Sequence, residues 1–164
     1  MFYKFSELVG KRRQGAIALM CLIIATLAFI FIQSMLSPNV SSAESGAVVN
    51  FLERFFSYDR PLGAFVLNNL RKIAHFAEYG VLGIEISLYI CFFACDYRRV
   101  APYSVLFGHA VAFIDETIQI FSGRGPAILD VWIDTLGFIT LSTACYTVFF
   151  ITRERILKKE TENG

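Results

Sequence analysis

The chain has 164 residues, of which 55% are apolar and 18% are charged, and its mean hydropathy is +0.55. An ordinary soluble domain has roughly 25% charged residues, so this composition excludes a disordered chain, a disulfide-stapled secreted module and most soluble enzymes. Its 15 Lys and Arg residues and 14 Asp and Glu residues give a net charge of +1, which gives no indication of nucleic-acid binding. The length allows one domain, or two at most.

Four segments reach or approach the roughly 20 apolar residues that a membrane-spanning helix needs. They lie at 15–36, 73–95, 102–121 and 128–150. The first is almost purely apolar, whereas the other three contain ionisable residues. Core helices of a soluble protein are the alternative, but too few polar residues remain to cover such a core. The sequence therefore predicts an all-α membrane protein with four transmembrane helices.

The first span has a second interpretation as a signal peptide. Three basic residues at 11–13 precede it, and the small residues at 41–43 resemble a cleavage site. The apolar core of a signal peptide is typically about 7–15 residues long, whereas this run has 22 residues. Its length therefore favours an anchor that stays in the mature protein.

The distribution of Lys and Arg predicts the orientation of the chain. With the N-terminus inside, the inner segments hold ten of these residues and the outer segments hold five. Positive residues concentrate on the cytoplasmic side, so we expect both termini in the cytoplasm. The membrane domain is then 15–150, between a basic N-terminal segment at 1–14 and a basic tail at 151–164. The short connections at 96–101 and 122–127 make the last three spans antiparallel neighbours.

The long connection at 37–72 contains apolar residues at helical spacing, which are Val48, Phe51, Leu52, Phe55 and Phe56. This pattern predicts a short amphipathic helix that lies on the outer leaflet. A helix that only packs over the bundle is the alternative. Pro61 is placed to open a further helical turn before the second span.

The predicted spans contain ionisable residues, which are Glu78, Glu85, Asp115, Glu116, Asp130, Asp134, His75 and His109. A charge at the centre of a bilayer costs at least about 2.5–3.5 kcal/mol, so these residues must face one another, a polar cavity or the interface. All except Glu85 and His109 fall near the same outer end of three spans. We therefore expect a polar pocket there, with Arg71, Lys72 and Arg124 at its rim.

Carboxylates outnumber cations in this predicted pocket. Either some of them stay protonated, or a hard divalent cation binds among them. No spacing of ligands is diagnostic of a metal site, so we assign no metal and no cofactor. Glu85 and His109 share a mid-membrane depth and are predicted to pair, as a buried hydrogen bond that fixes helix register or as a proton relay.

Four sequence fragments in order resemble the VanZ-like family, which takes its name from a teicoplanin-resistance protein. They are Lys72-x-x-His75-Phe76-x-x-Tyr79-x-x-Leu82-Gly83, Asp115-Glu116-x-x-Gln119-x-Phe121, Arg124, and Asp130-Val131-x-x-Asp134-x-x-Gly137. The resemblance runs from about residue 32 to residue 141, and the family usually has Asn at the position of Asp134. It implies a multi-pass protein of the bacterial cytoplasmic membrane with a site on its outer face.

Three functional hypotheses remain open. In the first, the pocket binds a lipid-linked envelope molecule and lowers glycopeptide susceptibility; its binding residues are Lys72, Tyr79, Gln119, Arg124, Asp130 and Asp134. In the second, the protein is an intramembrane acid/base enzyme with His75, Asp115 and Glu116 as catalytic residues. In the third, the polar layer belongs to a structural or transport module. The lipid bilayer is the expected partner in all three hypotheses, and the sequence does not indicate an oligomeric state.

Overall fold

The computed structural model describes residues 2–36, 46–93, 97–123 and 127–162, and its side chains from residue 13 onward except at 97, 98, 157 and 160. This part of the chain contains helices and no strand. The helices are α1 (Phe2–Met35), α2 (46–52), α3 (Pro61–Asn68), α4 (Leu70–Phe93), α5 (Tyr97–Phe121) and α6 (Ile128–Glu162).

Four of these helices are long and apolar enough to cross a membrane. The candidate spans are Arg13–Met35, Leu70–Phe93, Arg99–Phe121 and Ile128–Ile156, which confirms the four predicted spans. Helices α1 and α6 are longer than predicted, because they continue into the basic segments at both ends of the chain. Helix α6 runs on to Glu162 since residues 138–162 contain neither Gly nor Pro to end it.

The connection between the first two spans contains two short helices. Helix α2 covers only the first part of the predicted apolar pattern, because the helix ends at Leu52, before Phe55 and Phe56; the side chains of Val48 and Phe51 on it are exposed. Pro61 is the first residue of α3, as predicted from its fixed φ angle. Asn69 ends α3, because its backbone N–H donates to the carbonyl oxygens of the preceding turn and its side-chain amide donates to Phe65 O at 2.9 Å.

Helices α4 and α6 form the most extensive helix–helix contact, and they run parallel. Glycine lets their backbones approach closely: a Cβ atom on Gly83 would lie 2.6 Å from the carbonyl oxygen of Phe138. A Cβ on Gly137 would overlap the backbone of Phe76, so the two helix backbones are in close contact there as well. Phe138 is fully buried, and its ring packs over Gly108 of α5.

Helix α1 completes a four-helix bundle by packing against α4 and α5. Ile23 and Ile30 of α1 are buried in the shared core with Tyr79, Leu82 and Phe138. We call the end where α1 and α5 finish and α4 and α6 begin the site end, and the opposite end the terminal end.

The outer surface of the bundle is apolar over much of its length. Large apolar side chains on all four long helices are more than half exposed, including Ile32 at 60%, Leu106 at 66% and Val148 at 65%. A soluble monomer rarely exposes contiguous apolar surface of this kind. This surface supports the membrane-spanning prediction over the soluble alternative.

Candidate functional site

Three helices bring one ionisable side chain each into a buried cluster at the site end. His75 comes from the second turn of α4, Asp115 from the penultimate turn of α5 and Asp134 from the second turn of α6. His75 Nδ1 lies 3.4 Å from Asp134 Oδ1, and one potential ligand atom from each of the three residues lies within 4.8 Å of the others. Both aspartates are about 1% exposed. The three residues form the His75–Asp115–Asp134 cluster.

Helix α1 supports this cluster, which the sequence interpretation missed. The hydroxyl of Ser34 donates to Asp115 Oδ1, and the Nε2 amide of Gln119 donates to Asp115 Oδ2 at 3.1 Å. Ser122 Oγ donates to Ser34 O at 2.8 Å and so ties the end of α5 to the end of α1. The available signal was the polar pair at residues 33–34 in the last turn of an otherwise apolar span.

Tyr79 places a hydroxyl next to the same cluster. Its side chain is 0% exposed, because it lies one turn below His75 on the face of α4 that points into the bundle. The hydroxyl is beside the Asp115 carboxylate, but it has no partner that satisfies hydrogen-bond geometry. Buried hydroxyls are usually hydrogen-bonded, so this one has unused hydrogen-bonding capacity.

The basic residues lie at the edge of the cluster. Arg71 Nη2 donates to Gln119 Oε1 at 3.0 Å, which connects an exposed guanidinium to the buried hydrogen bonds of Asp115. Lys72 is exposed near the start of α4. Arg124, the third predicted rim cation, lies outside the described residues.

A cavity between α5 and α6 has a carboxylate in its wall. Its volume is about 320 Å³. The lining residues are His109, Phe113, Glu116, Thr117, Ile120, Ile128, Val131 and Trp132. Phe113 and Trp132 are each more than half exposed, so this α5–α6 cavity opens on the side of the bundle. The Glu116 carboxylate accepts a hydrogen bond from the backbone N–H of Ala127 and lies close enough to Asp134 for electrostatic interaction.

A second lateral cavity lies between α1 and α4. Its volume is about 350 Å³, and its walls are Ala25, Thr26, Phe29, Glu78 and Val81. Glu78 is half-buried and interacts electrostatically with His75. Asp130 is half-buried in the first turn of α6, where a carboxylate is favoured by the helix dipole.

The predicted pairing of Glu85 with His109 is wrong. Glu85 Oε1 accepts a hydrogen bond from the hydroxyl of Thr26 at 2.9 Å, whereas His109 Nδ1 lies 3.0 Å from the hydroxyl of Thr135. The two residues face different neighbours, because Glu85 points to α1 and His109 points to α6. Counting residues along each span predicted a common depth for the two residues, but it carried no information on the rotation of each helix about its axis.

The structure thus gathers most of the predicted site residues. Five of them meet at the site end, which are His75, Tyr79, Asp115, Gln119 and Asp134. Glu116 lies beside them in the α5–α6 cavity, and Lys72 and Asp130 lie at the edge. Such an arrangement offers carboxylates to an amine, a hydroxyl or a cation, an imidazole that can exchange a proton, and exposed cations to a phosphate.

A comparison with protein families gives a match over most of the chain. A family model described as VanZ/LLP1 matches residues 17–150, which include all four spanning helices except the ends of α1 and α6. This match agrees with the family resemblance of the four sequence fragments. No curated protein and no solved structure matches the chain.

Proposed function

The chain belongs to the VanZ/LLP1 family, and we propose that it is a bacterial envelope protein that binds a lipid-linked molecule at the outer leaflet of the cytoplasmic membrane. The polar headgroup would meet the His75–Asp115–Asp134 cluster and Glu116. Lowered susceptibility to teicoplanin is the expected cellular consequence, because a protein that holds a lipid-linked wall precursor changes what a glycopeptide can reach.

The observation that carries this proposal is the position of Glu116. Its carboxylate lies in the wall of a mostly apolar cavity that opens on the side of the bundle, and it is also a neighbour of Asp134. Apolar walls accept a hydrocarbon chain, while a carboxylate accepts hydrogen bonds from an amine or hydroxyl group. A lipid has both parts in one molecule, and Arg71 and Lys72 at the edge suit its phosphate.

The orientation in this proposal follows from the charges at the two ends of the bundle. Arg153, Arg155, Lys158 and Lys159 extend α6 at the terminal end, and further basic residues precede the first span. With this end in the cytoplasm, the site end faces the outer leaflet. The exposed apolar residues of α2 would then rest at that membrane surface.

An acid/base enzyme is the second candidate, and one contact favours it. The His75 imidazole lies 3.4 Å from the Asp134 carboxylate, an arrangement that orients a histidine for proton transfer. In this version, Glu116 or Asp115 removes a proton from a lipid-linked substrate and His75 donates one.

A susceptibility assay with matched variants tests the proposal. Wild type, Glu116→Gln and His75→Ala are expressed in a glycopeptide-sensitive Gram-positive host, and teicoplanin susceptibility is measured together with the abundance of each protein in the membrane. Glu154→Gln is the control, because it makes the same change at an exposed position of the terminal end. We expect wild type and the control to protect. Glu116→Gln should protect less, since losing one hydrogen bond to a charged group costs about 1.5 kcal/mol, or roughly tenfold in affinity.

The other outcomes separate the alternatives. Complete loss of protection by Glu116→Gln at normal abundance supports the enzyme over the binding protein. Disappearance of both variants from the membrane supports a structural or transport module and contradicts a binding role for these residues. A wild type that gives no protection shows that the resistance role does not apply to this chain.

A further inference from the structure

We propose that the His75–Asp115–Asp134 cluster is a binding site for a divalent transition-metal ion of the zinc type. This inference goes beyond the headgroup proposal and does not depend on it. Metal binding can be measured on the purified protein with no lipid-linked ligand present. It starts from three different helices that each bring one metal-ligating side chain to a single buried point.

The spacing of the ligand atoms fits one ion. Bonds of about 2.1 Å from a tetrahedral zinc ion place neighbouring ligand atoms roughly 3.4 Å apart. His75 Nδ1 and Asp134 Oδ1 lie 3.4 Å apart as an ion pair, and neither atom has a hydrogen bond to any other described group. The ligand atoms of all three residues are within 4.8 Å of one another, so one ion placed among them lies near a ligand atom of each residue.

The hydrogen bonds of Asp115 suit a metal ligand. Ser34 donates to one carboxylate oxygen and Gln119 donates to the other. Each oxygen keeps a second lone pair for an ion. Carboxylates that bind metals are commonly held in place by such donors, which fix their direction.

The Tyr79 hydroxyl gives an independent indication of a ligand. It is completely buried beside the Asp115 carboxylate, but its geometry falls short of a proper hydrogen bond to that carboxylate or to any other described group. A water molecule on the ion, or the ion itself, gives this oxygen the partner that buried hydroxyls normally have. An ion with three protein ligands also keeps a fourth position for water or for an oxygen of a bound molecule.

The charge balance of the cluster also favours a bound cation. Two buried aspartates stand against one histidine, and among the residues that the structure describes no Lys or Arg forms an ion pair with either carboxylate. A divalent cation would neutralise both of them. One imidazole nitrogen and two carboxylate oxygens favour zinc, manganese or iron(II) over calcium or magnesium, which prefer all-oxygen sites. With an ion bound, His75 Nδ1 serves as a ligand and is not free for proton transfer.

The metal content of the full-length protein tests this site. The chain is purified in detergent with an affinity tag that lacks histidine, stripped with a chelator, equilibrated with Zn²⁺ and passed through a desalting column. Metal per chain is then measured by mass spectrometry. We expect one zinc ion per chain, and at least tenfold weaker binding after Asp134→Asn or His75→Gln. Co²⁺ in place of Zn²⁺ should give the visible absorption of a bound cobalt ion, which the same variants abolish.

Two control variants distinguish this cluster from other metal ligands. Glu154→Gln changes an exposed carboxylate at the terminal end of α6, and Cys145→Ala removes a thiol near Cys91. Both should bind zinc as the wild type does. A wild type that retains no zinc after desalting overturns the proposal whether or not the cluster variants fold. Retention of zinc by a monodisperse Asp134→Asn variant overturns it as well. Neither result affects the headgroup proposal, which is tested by teicoplanin susceptibility.

Discussion

The buried carboxylate of Glu85 depends on one hydroxyl group. Thr26 on α1 donates to it at 2.9 Å, and its second oxygen has no hydrogen-bond partner. We expect Thr26→Val to lower the free energy of unfolding by about 1–3 kcal/mol, because it leaves a buried acceptor without a donor. The measurement is thermal unfolding of the purified protein in detergent, followed by gel filtration of the fraction that stays folded.

A double variant checks the physical reason for this loss. Removing both polar groups leaves nothing unpaired, so Thr26→Val combined with Glu85→Leu should recover stability relative to Thr26→Val alone. An unfolding temperature of Thr26→Val equal to that of wild type would show that the hydroxyl contributes nothing to the fold. The prediction would then be wrong.

For single residues, sequence reasoning predicted the depth of a side chain in the bundle better than it predicted the partners of that side chain. Counting residues from the span ends placed His75, Asp115 and Asp134 in one layer, because the rise of a helix per residue is fixed. It paired Glu85 with His109 wrongly and missed Ser34, since contacts also depend on how each helix is rotated and on which helices are neighbours. These two properties arise from packing of the whole bundle.

At the scale of the helices, the glycines between α4 and α6 control the geometry of the site. We expect Gly83→Ala to destabilise the protein by about 1–3 kcal/mol, a typical cost of overpacking. The added methyl group would meet the backbone of Phe138, at 2.6 Å from its carbonyl oxygen, and a backbone atom cannot move aside alone. Thermal unfolding in detergent measures the effect.

Gly15→Ala is the matched control for this substitution. A Cβ atom at Gly15 would meet only the end of the Phe93 ring at 3.5 Å, which is ordinary contact. Since alanine is the better helix former by roughly 1 kcal/mol, Gly15→Ala should keep or raise stability. Equal effects of the two substitutions would mean that close helix approach is not the cause.

The periodicity of the sequence predicted the long helices well, while their ends were less accurate. Apolar length identified four spans, and Pro61 marked the start of α3. The continuation of α1 and α6 beyond the apolar runs was missed, because hydropathy reports where a helix can lie in lipid and not where its backbone hydrogen bonds stop. Charged residues such as Arg155 and Lys158 are good helix formers.

At the scale of the whole molecule, the headgroup proposal requires a defined orientation in the membrane. Asp59, between α2 and α3, belongs to the site end, and Glu162 is the last residue of α6 at the terminal end; both are exposed. In a background without native cysteines, a membrane-impermeant maleimide should label the Asp59→Cys variant on intact Gram-positive cells. The Glu162→Cys variant should react only after lysis.

The reverse labelling pattern would place the site end in the cytoplasm. It would rule out binding at the outer leaflet, while the fold and the metal-site proposal would stand. As a control, both variants are also labelled after lysis of the same cells. Labelling of each variant after lysis confirms that its cysteine can react.

The lateral opening of the α5–α6 cavity also determines which measure of ligand concentration governs its occupancy. Its exposed walls, Phe113 and Trp132 among them, face sideways along the plane of the bilayer. A molecule that enters by this route arrives by two-dimensional diffusion within one leaflet, so its mole fraction among the lipids governs occupancy and its amount per litre of buffer does not. Two preparations with equal ligand and protein but different amounts of lipid would therefore differ in saturation. Adding plain lipid would lower the mole fraction of the ligand and so reduce occupancy of the cavity, although the added lipid does not occupy the site itself.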